Sequence, residues 1–369
     1  MNDFFGGSAL PNLTEHLLPA VWPFLAALAV SAVMVPFAIR LSRRYGVLAQ
    51  PGGRHAHANP TPLLGGLAMW VGFAAAGAVF LPHDLQTLGV IACSGLVMAL
   101  LIVDDRRGMR PLVKLAIQVG VALLAVVVFG AQIKFFSLPG GHLIELGLLV
   151  VPVSVFWLVG MQNTVNFLDG ADGLAAGVIA IVAVILILAA GQLHQLEIVQ
   201  LGGALAGCCA GFLLFNFPPA RIFMGDSGAH FLGVALGMIS ILGVAKVAVA
   251  FALAAPVLAL AVPIVDTGWA ILRRGRRGQS VATPDTLHLH HRLQSFGLDS
   301  RQTCLVFYAV SLLLGGLGLT LFGHGRILAL VLIAALVLTS TVVADLLQHG
   351  GWRVPAPWLR RLLGEPASG

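Results

Sequence analysis

Apolar residues fill this chain in long unbroken runs, and polar residues are confined to the gaps between them. A helix needs about 20 apolar residues to cross a bilayer. By that measure the runs predict eleven spanning helices, over 18–39, 63–82, 85–103, 112–130, 143–160, 173–191, 198–217, 229–244, 247–272, 303–322 and 326–346. The hairpin near Lys246 is very short, and 273–302 is the long polar loop. No polar stretch could build a separate soluble core, so residues 1–369 are expected to form a single integral-membrane domain. The first fifteen residues lack the basic start of a secretory signal, and the first run is read as a retained span.

Composition agrees. The chain is 58% hydrophobic and 10% charged, with a mean hydropathy of +0.95, where a soluble domain carries about 25% charged residues. The expected fold class is therefore an all-α polytopic membrane protein. Cys93, Cys208, Cys209 and Cys304 all sit in apolar runs, without zinc-ligand or disulfide spacing, and read as small core residues.

The net charge of +6 reports orientation rather than nucleic-acid binding. With eleven spans, eighteen of the 21 Lys and Arg fall on one side of the membrane. The other side keeps Lys134, Lys246 and Arg326. The positive-inside rule places the N-terminus in the periplasm and the C-terminus in the cytoplasm. The arginine run at 273–277 fits an anchor that contacts anionic membrane lipids.

Against this background, six aspartates form four clusters at or just inside span ends: Asp104–Asp105, Asp169 with Asp172, Asp226, and Asp266. All are expected on the cytoplasmic face, where uncompensated carboxylates are costly and point to function. In LIVDDRRGMRPLVK, the acidic pair followed by Arg106, Arg107 and Lys114 reads either as a neutralised helix end or as a metal or phosphate site. In QNTVNFLDGADGLA, Asn163, Asn166, Asp169 and Asp172 recur every third residue, a spacing that lines one helix face. In FNFPPARIFMGDSGAHFLG, Pro218 and Pro219 break a span, and 225–228 reads as a tight polar turn before the next one. There Phe223 could stack on a base while Asp226 takes a metal. In PDTLHLHHRL, His288, His290, His291 and Arg292 fit a phosphate-binding cluster better than a zinc site. In GGRHAHANPTPLLGG, Arg54 and His57 add cations to the same face.

In this order the motifs resemble the polyprenyl-phosphate N-acetylhexosamine-1-phosphate transferases. The likeness is to the WecA-like branch of the superfamily that includes MraY, and it runs from about residue 40 to 300. The matching pieces are RxxH…TPxxGG at 54–66, VDD at 103–105, NxxNFLDGADGLA at 163–175, PAxIFMGDSG at 219–228, PxxDT at 263–267 and HLHHRL at 288–293. The chain departs from the pattern at Ala49, Gln50, His55 and Thr286, positions that bear on the sugar rather than on the reaction class.

The resemblance implies transfer of N-acetylhexosamine 1-phosphate, GlcNAc 1-phosphate by default, from a UDP-sugar to undecaprenyl phosphate. UMP is released, and the lipid-linked sugar starts a surface polysaccharide. It implies Mg²⁺, with Mn²⁺ as its substitute, an inner-membrane location, a cytoplasm-facing site and a homodimer. Asp104, Asp105 and Asp226 become catalytic candidates, and Asp226, Asp104 and Asp172 metal ligands. Asn163, Asn166, Asp169, Asp172, Phe223, His288, His290, His291 and Arg292 fall to the nucleotide sugar. Arg54, His57 and Lys114 fall to the phosphate and lipid side. An ion-coupled secondary transporter is the alternative from another class. It would carry its ionisable groups near the bilayer midplane, often in two matching halves.

Overall fold

The computed structural model describes residues 17–50, 60–137, 143–243 and 299–320. Nine α-helices run through them: α1 (Val21–Tyr45), α2 (Gly65–Phe80), α3 (Leu85–Arg107), α4 (Pro111–Val127), α5 (Val150–Leu168), α6 (Leu174–Gln192), α7 (Leu196–Asn216), α8 (Gly225–Leu242) and α9 (Ser300–Thr320). Six helical segments, containing α1, α3, α5, α6, α7 and α8, are long and apolar enough to cross a membrane, and α2 and α4 are shorter apolar helices. The chain is an all-helical polytopic membrane protein apart from two small antiparallel hairpins. Strand β1 (Leu48–Ala49) pairs with β2 (Thr61–Pro62), and β3 (Phe135–Ser137) with β4 (Leu143–Glu145).

The β3–β4 hairpin corrects the fifth expected span. Residues 143–145 are strand, and the helix begins at Val150 and runs on to Leu168. Its polar end, which seemed to lie outside the apolar run, stays helical because protein rather than lipid covers it, with Met161, Gln162 and Val165 all buried. The eighth span is also longer than expected, since 225–228 is the first helical turn of α8 rather than a preceding loop. The expected spans at 247–272 and 326–346, the loop at 273–302 up to residue 298, and both chain ends lie outside the described residues.

Helix α8 is the core of the bundle. Every residue from Gly225 to Ile241 except Asp226 is buried, as expected of a helix that is apolar all round. It packs against α3, α5 and α2, while α1 packs on α7 and α2, α6 on α7, and α9 on α6. Small residues permit these approaches, the common device where no hydrophobic effect drives helices together in lipid. A Cβ on Gly207 of α7 would lie 2.2 Å from the Phe24 carbonyl oxygen of α1. Hydrogen bonds gather the ends of α3, α5 and α7 with the starts of α2, α4, α6, α8 and α9, and Asp104, Asp105, Asp169, Asp172 and Asp226 lie there.

Candidate active site

Neighbouring residues on a helix point about 100° apart, and the Asp104–Asp105 pair uses that divergence. Helix α3 continues through both aspartates to Arg107, and Gly108 turns the chain with a φ of 70°. Asp104 faces α4. Its Oδ1 accepts the Met109 N–H at 2.6 Å and its Oδ2 accepts from Lys114 Nζ at 2.8 Å. Asp105 faces α8. Its Oδ1 accepts the Asp226 N–H at 2.7 Å and its Oδ2 the Ser227 N–H at 3.2 Å. A carboxylate borrowed from another helix thus caps α8, satisfying two otherwise unpaired donors at the positive end of its dipole.

Asp226, the second residue of α8, is 39% exposed at its side chain while its neighbours are buried. Its Oδ1 accepts from Asn166 Nδ2 at 2.9 Å, and its Oδ2 pairs with Lys114 Nζ. Lys114 therefore lies between two carboxylates from different helices.

The backbone before α8 is clamped to the chain entering α2. Phe223 N–H donates to the Pro62 carbonyl at 2.8 Å, and Gly65 and Gly66 N–H donate to the Phe223 and Met224 carbonyls at 3.0 Å each. A Cβ on Gly66 would meet Gly228 Cα at 2.3 Å, so the two backbones touch here. Phe223 is only 7% exposed. Stacking a base on it requires the ring to turn out of the core.

The Asn163-to-Asp172 stripe is one face only in part. Asn163 and Asn166 share α5, but Asp169 ends that helix with a ψ of 40°, and Asp172 lies in the turn before α6. The Asp–Gly chemistry wins over helical periodicity, with Gly173 in the left-handed conformation at φ 76°. Asp172 Oδ2 accepts the Ala220 N–H at 2.8 Å, and Asn216 Oδ1 accepts the Gly173 N–H at 2.9 Å. Helix α9 closes over the turn: Tyr308 donates to the Gly173 carbonyl at 2.6 Å, and Arg301 Nε to the Pro218 carbonyl at 2.9 Å. Burial pushes the Asp169 carboxyl well above the usual carboxylate range, and the charges of Asp226, Asp105 and Asp172 add to that.

The structure thus brings together Asp104, Asp105, Lys114, Asn166 and Asp226, with the Asp169–Asp172 turn alongside. Arg54, His57, Asp266, His288, His290, His291 and Arg292 lie outside the described residues. Two residues of the site escaped the sequence reading. Gln118 and His230 are 2% and 0% exposed and are hydrogen-bonded to each other at 2.8 Å. Each follows a site residue by four positions, Lys114 and Asp226, which is the one signal that could have found them.

The sequence model of glycosyl transferase family 4 matches residues 87–244. The chain is 34% identical over 337 residues to the probable undecaprenyl-phosphate N-acetylglucosaminyl 1-phosphate transferase of Bacillus subtilis (strain 168), covering 90% of this chain and 93% of that protein. The chain belongs to glycosyl transferase family 4. It is also 35% identical over 345 residues to the decaprenyl-phosphate N-acetylglucosaminephosphotransferase of Mycolicibacterium smegmatis, covering 84% of each. With the phospho-N-acetylmuramoyl-pentapeptide-transferase of Synechococcus sp. (strain RCC307) it shares 33% identity over 291 residues, 74% of this chain and 80% of that one.

The family 4 match contains every described aspartate of the site. As a member of that family the chain is an enzyme, a membrane-embedded transferase. Its donor set suits a hard cation, since Asp104 and Asp226 already share one positive charge, that of Lys114. Among the described residues no three His, Cys, Asp or Glu side chains form a metal-holding group. Asp172, the third expected ligand, accepts the Ala220 N–H through Oδ2. Mg²⁺ needs only one or two carboxylates when substrate phosphates complete its shell.

Proposed function

We propose that this family 4 enzyme transfers an N-acetylhexosamine 1-phosphate, GlcNAc 1-phosphate by preference, from its UDP-sugar to undecaprenyl phosphate. An oxygen of the lipid phosphate bonds to the phosphorus that carries the sugar, and the bond from that phosphorus to UMP breaks. The observation that carries the reading is the convergence of Asp104, Lys114 and Asp226, from three helices, at one end of an apolar bundle. A transporter would carry its ionisable groups near the bilayer midplane rather than at one end of the bundle. The names of the relatives from B. subtilis and M. smegmatis support the GlcNAc preference.

Two anions must meet, so positioning and charge neutralisation dominate the catalysis. Asp226 and Asp104 would hold Mg²⁺, or Mn²⁺ in its place, which offsets phosphate charge and orients the reacting groups. Asp105 sets the direction of the first turn of α8 and hence of Asp226. Lys114, released from one carboxylate, neutralises a phosphate oxygen. A strong base is not required, because the lipid phosphate is largely ionised near pH 7. Asn163, Asn166 and Asp169 face the nucleotide sugar, joined from the segments beyond by His288, His290, His291 and Arg292. Arg54 and His57 serve the lipid phosphate. The membrane arrangement in this reading is eleven spans within one domain, a cytoplasm-facing site in the inner membrane, and a homodimer.

The test is UMP release by the purified protein with undecaprenyl phosphate and a panel of UDP-sugars, with and without Mg²⁺. UDP-GlcNAc should be turned over fastest, only with the divalent cation, and not by Asp226→Asn. An absence of UMP release from every UDP-N-acetylhexosamine overturns the reading. Near-normal turnover by Asp226→Asn removes its metal role.

A further inference from the structure

Beneath the carboxylates, three buried or half-buried polar side chains form one directed chain across α5, α4 and α8. Asn163 Nδ2 donates to the Val159 carbonyl and to Gln118 Oε1, both at 2.8 Å. Gln118 Nε2 lies 2.8 Å from His230 Nε2, and His230 Nδ1 lies 2.6 Å from the Asp226 carbonyl oxygen. Both ends of the chain are backbone carbonyls, which only accept. At one end His230 must therefore carry its proton on Nδ1, leaving Nε2 as an acceptor. Gln118 must then turn its NH₂ towards His230 and its oxygen towards Asn163. At the other end the Val159 carbonyl independently requires the Asn163 NH₂. No member can flip without setting two acceptors against each other. The close approach of α5 and α8 that the chain needs is provided at Gly233, where a Cβ would lie 2.5 Å from Gln162 Cα.

The consequence falls on Asn163. Both of its N–H donors are consumed, so its Oδ1 is the one group it can offer, and among the described residues that atom has no partner. Asn163 is half-buried, one helical turn before Asn166, which donates to Asp226. We propose that Gln118 and His230 are positioning residues that lock Asn163 as an acceptor for an N–H group of the nucleotide sugar. That N–H belongs either to the uracil imide or to the acetamido group. The same chain pins the carbonyl of Asp226 and so couples the two binding regions. The proposal rests on the transferase reading above.

The test uses the full-length protein in detergent, with Asn163→Leu, Gln118→Met, His230→Leu, Gln118→Glu and the Asn163→Leu/Gln118→Met double variant. A melting temperature confirms that each is folded. Losing one hydrogen bond to the donor should raise KM for UDP-GlcNAc about tenfold in Asn163→Leu, Gln118→Met and His230→Leu, equivalent to about 1.4 kcal/mol, with kcat changed much less. Gln118→Glu keeps the acceptor for Asn163 and, with one proton held between its carboxyl and His230 Nε2, also the contact to His230, so its KM should stay near that of wild type. Because Gln118 acts through Asn163, the double variant should match Asn163→Leu alone. Inhibition by UMP separates the two N–H sources: weakened UMP inhibition assigns the contact to uracil, and unchanged UMP inhibition with raised KM assigns it to the acetamido group. Lower melting temperatures with unmoved KM, or additive effects in the double variant, overturn the proposal. A wild-type protein that turns over no UDP-N-acetylhexosamine overturns the transferase reading itself.

Discussion

Asp105 precedes Asp226 by 121 residues, yet its carboxylate accepts the Asp226 backbone N–H at 2.7 Å. The two aspartates therefore do different work: one ends a helix dipole, and the other is held out at the tip of that helix. Asp105→Ala removes the cap and should cost about 1–2 kcal/mol of stability. Turnover should fall at least a hundredfold, because Asp226 loses its fixed direction. Asp105→Asn keeps one acceptor and should recover most of the stability. Asp226→Asn should leave the melting temperature within a few degrees of wild type while abolishing turnover. Equal stability losses for Asp105→Ala and Asp226→Asn would contradict this division of roles.

Lys114 supplies the one cation that the described structure places between Asp104 and Asp226. Lys114→Met leaves two carboxylates facing each other, one of them 9% exposed. The full penalty for breaking a buried pair is about 3–5 kcal/mol, and partial exposure of Asp226 should reduce it to about 1–3 kcal/mol. A divalent cation can take the vacated position. Millimolar Mg²⁺ should therefore raise the melting temperature of Lys114→Met more than that of the wild type, by linkage to the folded state. Identical Mg²⁺ responses in thermal melts would refute the idea that lysine and metal share this place.

The Asp169 carboxyl keeps its proton to higher pH in the folded protein than in the unfolded chain, where it titrates near 3.8. The folded state then binds more protons above that value, so its stability falls as pH rises from about 4 through the folded pKa. Asp169→Asn removes this term. In divalent-free buffer the variant should melt higher than wild type at pH 7–8, and its melting temperature should vary less with pH. Parallel melting curves for the two proteins between pH 5 and pH 8 would argue against it. Turnover should nonetheless drop in the variant, since Asp169 is one of the groups assigned above to the nucleotide sugar.

Helix positions were legible in the sequence because lipid imposes long apolar runs, and the runs at 85–103, 173–191 and 198–217 appear as α3, α6 and α7 with small shifts at their ends. The hairpin strands Phe135–Ser137 and Leu143–Glu145 were not: Leu143 and Ile144 read as the start of the next span, and Phe135–Ser137 fell in the gap between two expected spans. Gathering Asp104, Asp105, Asp169, Asp172 and Asp226 at one end of the bundle was legible from the charge count, while Asp266 lies outside the described residues. Separating Asp104 from Asp105 was not, because only the packing partners, α4 and α8, tell the two directions apart. Gln118 and His230 illustrate the general obstacle. A single polar residue on an apolar helix acquires meaning from its partner, and these partners lie 112 residues apart.

The contact of Gly66 with Gly228 offers a steric test of how tightly the site depends on α8. A Cβ at Gly66 would fall 2.3 Å from Gly228 Cα, 2.6 Å from Gly228 N and 2.9 Å from the Met224 carbonyl oxygen. All three are backbone atoms and cannot swing aside, so Gly66→Ala must push α2 away from the turn that carries Asp226. Overpacking of this kind costs about 1–3 kcal/mol. Activity should suffer more than stability, because that displacement also breaks the Gly65 and Gly66 hydrogen bonds to the Phe223 and Met224 carbonyls. Gly120 in α4 supplies the control, with nothing within 4 Å of its Cβ position. Gly120→Ala should be neutral or stabilising by about 0.5–1 kcal/mol and retain turnover. If both alanine variants keep wild-type turnover in the UMP-release assay, the first turn of α8 is not the element that sets the geometry of this site.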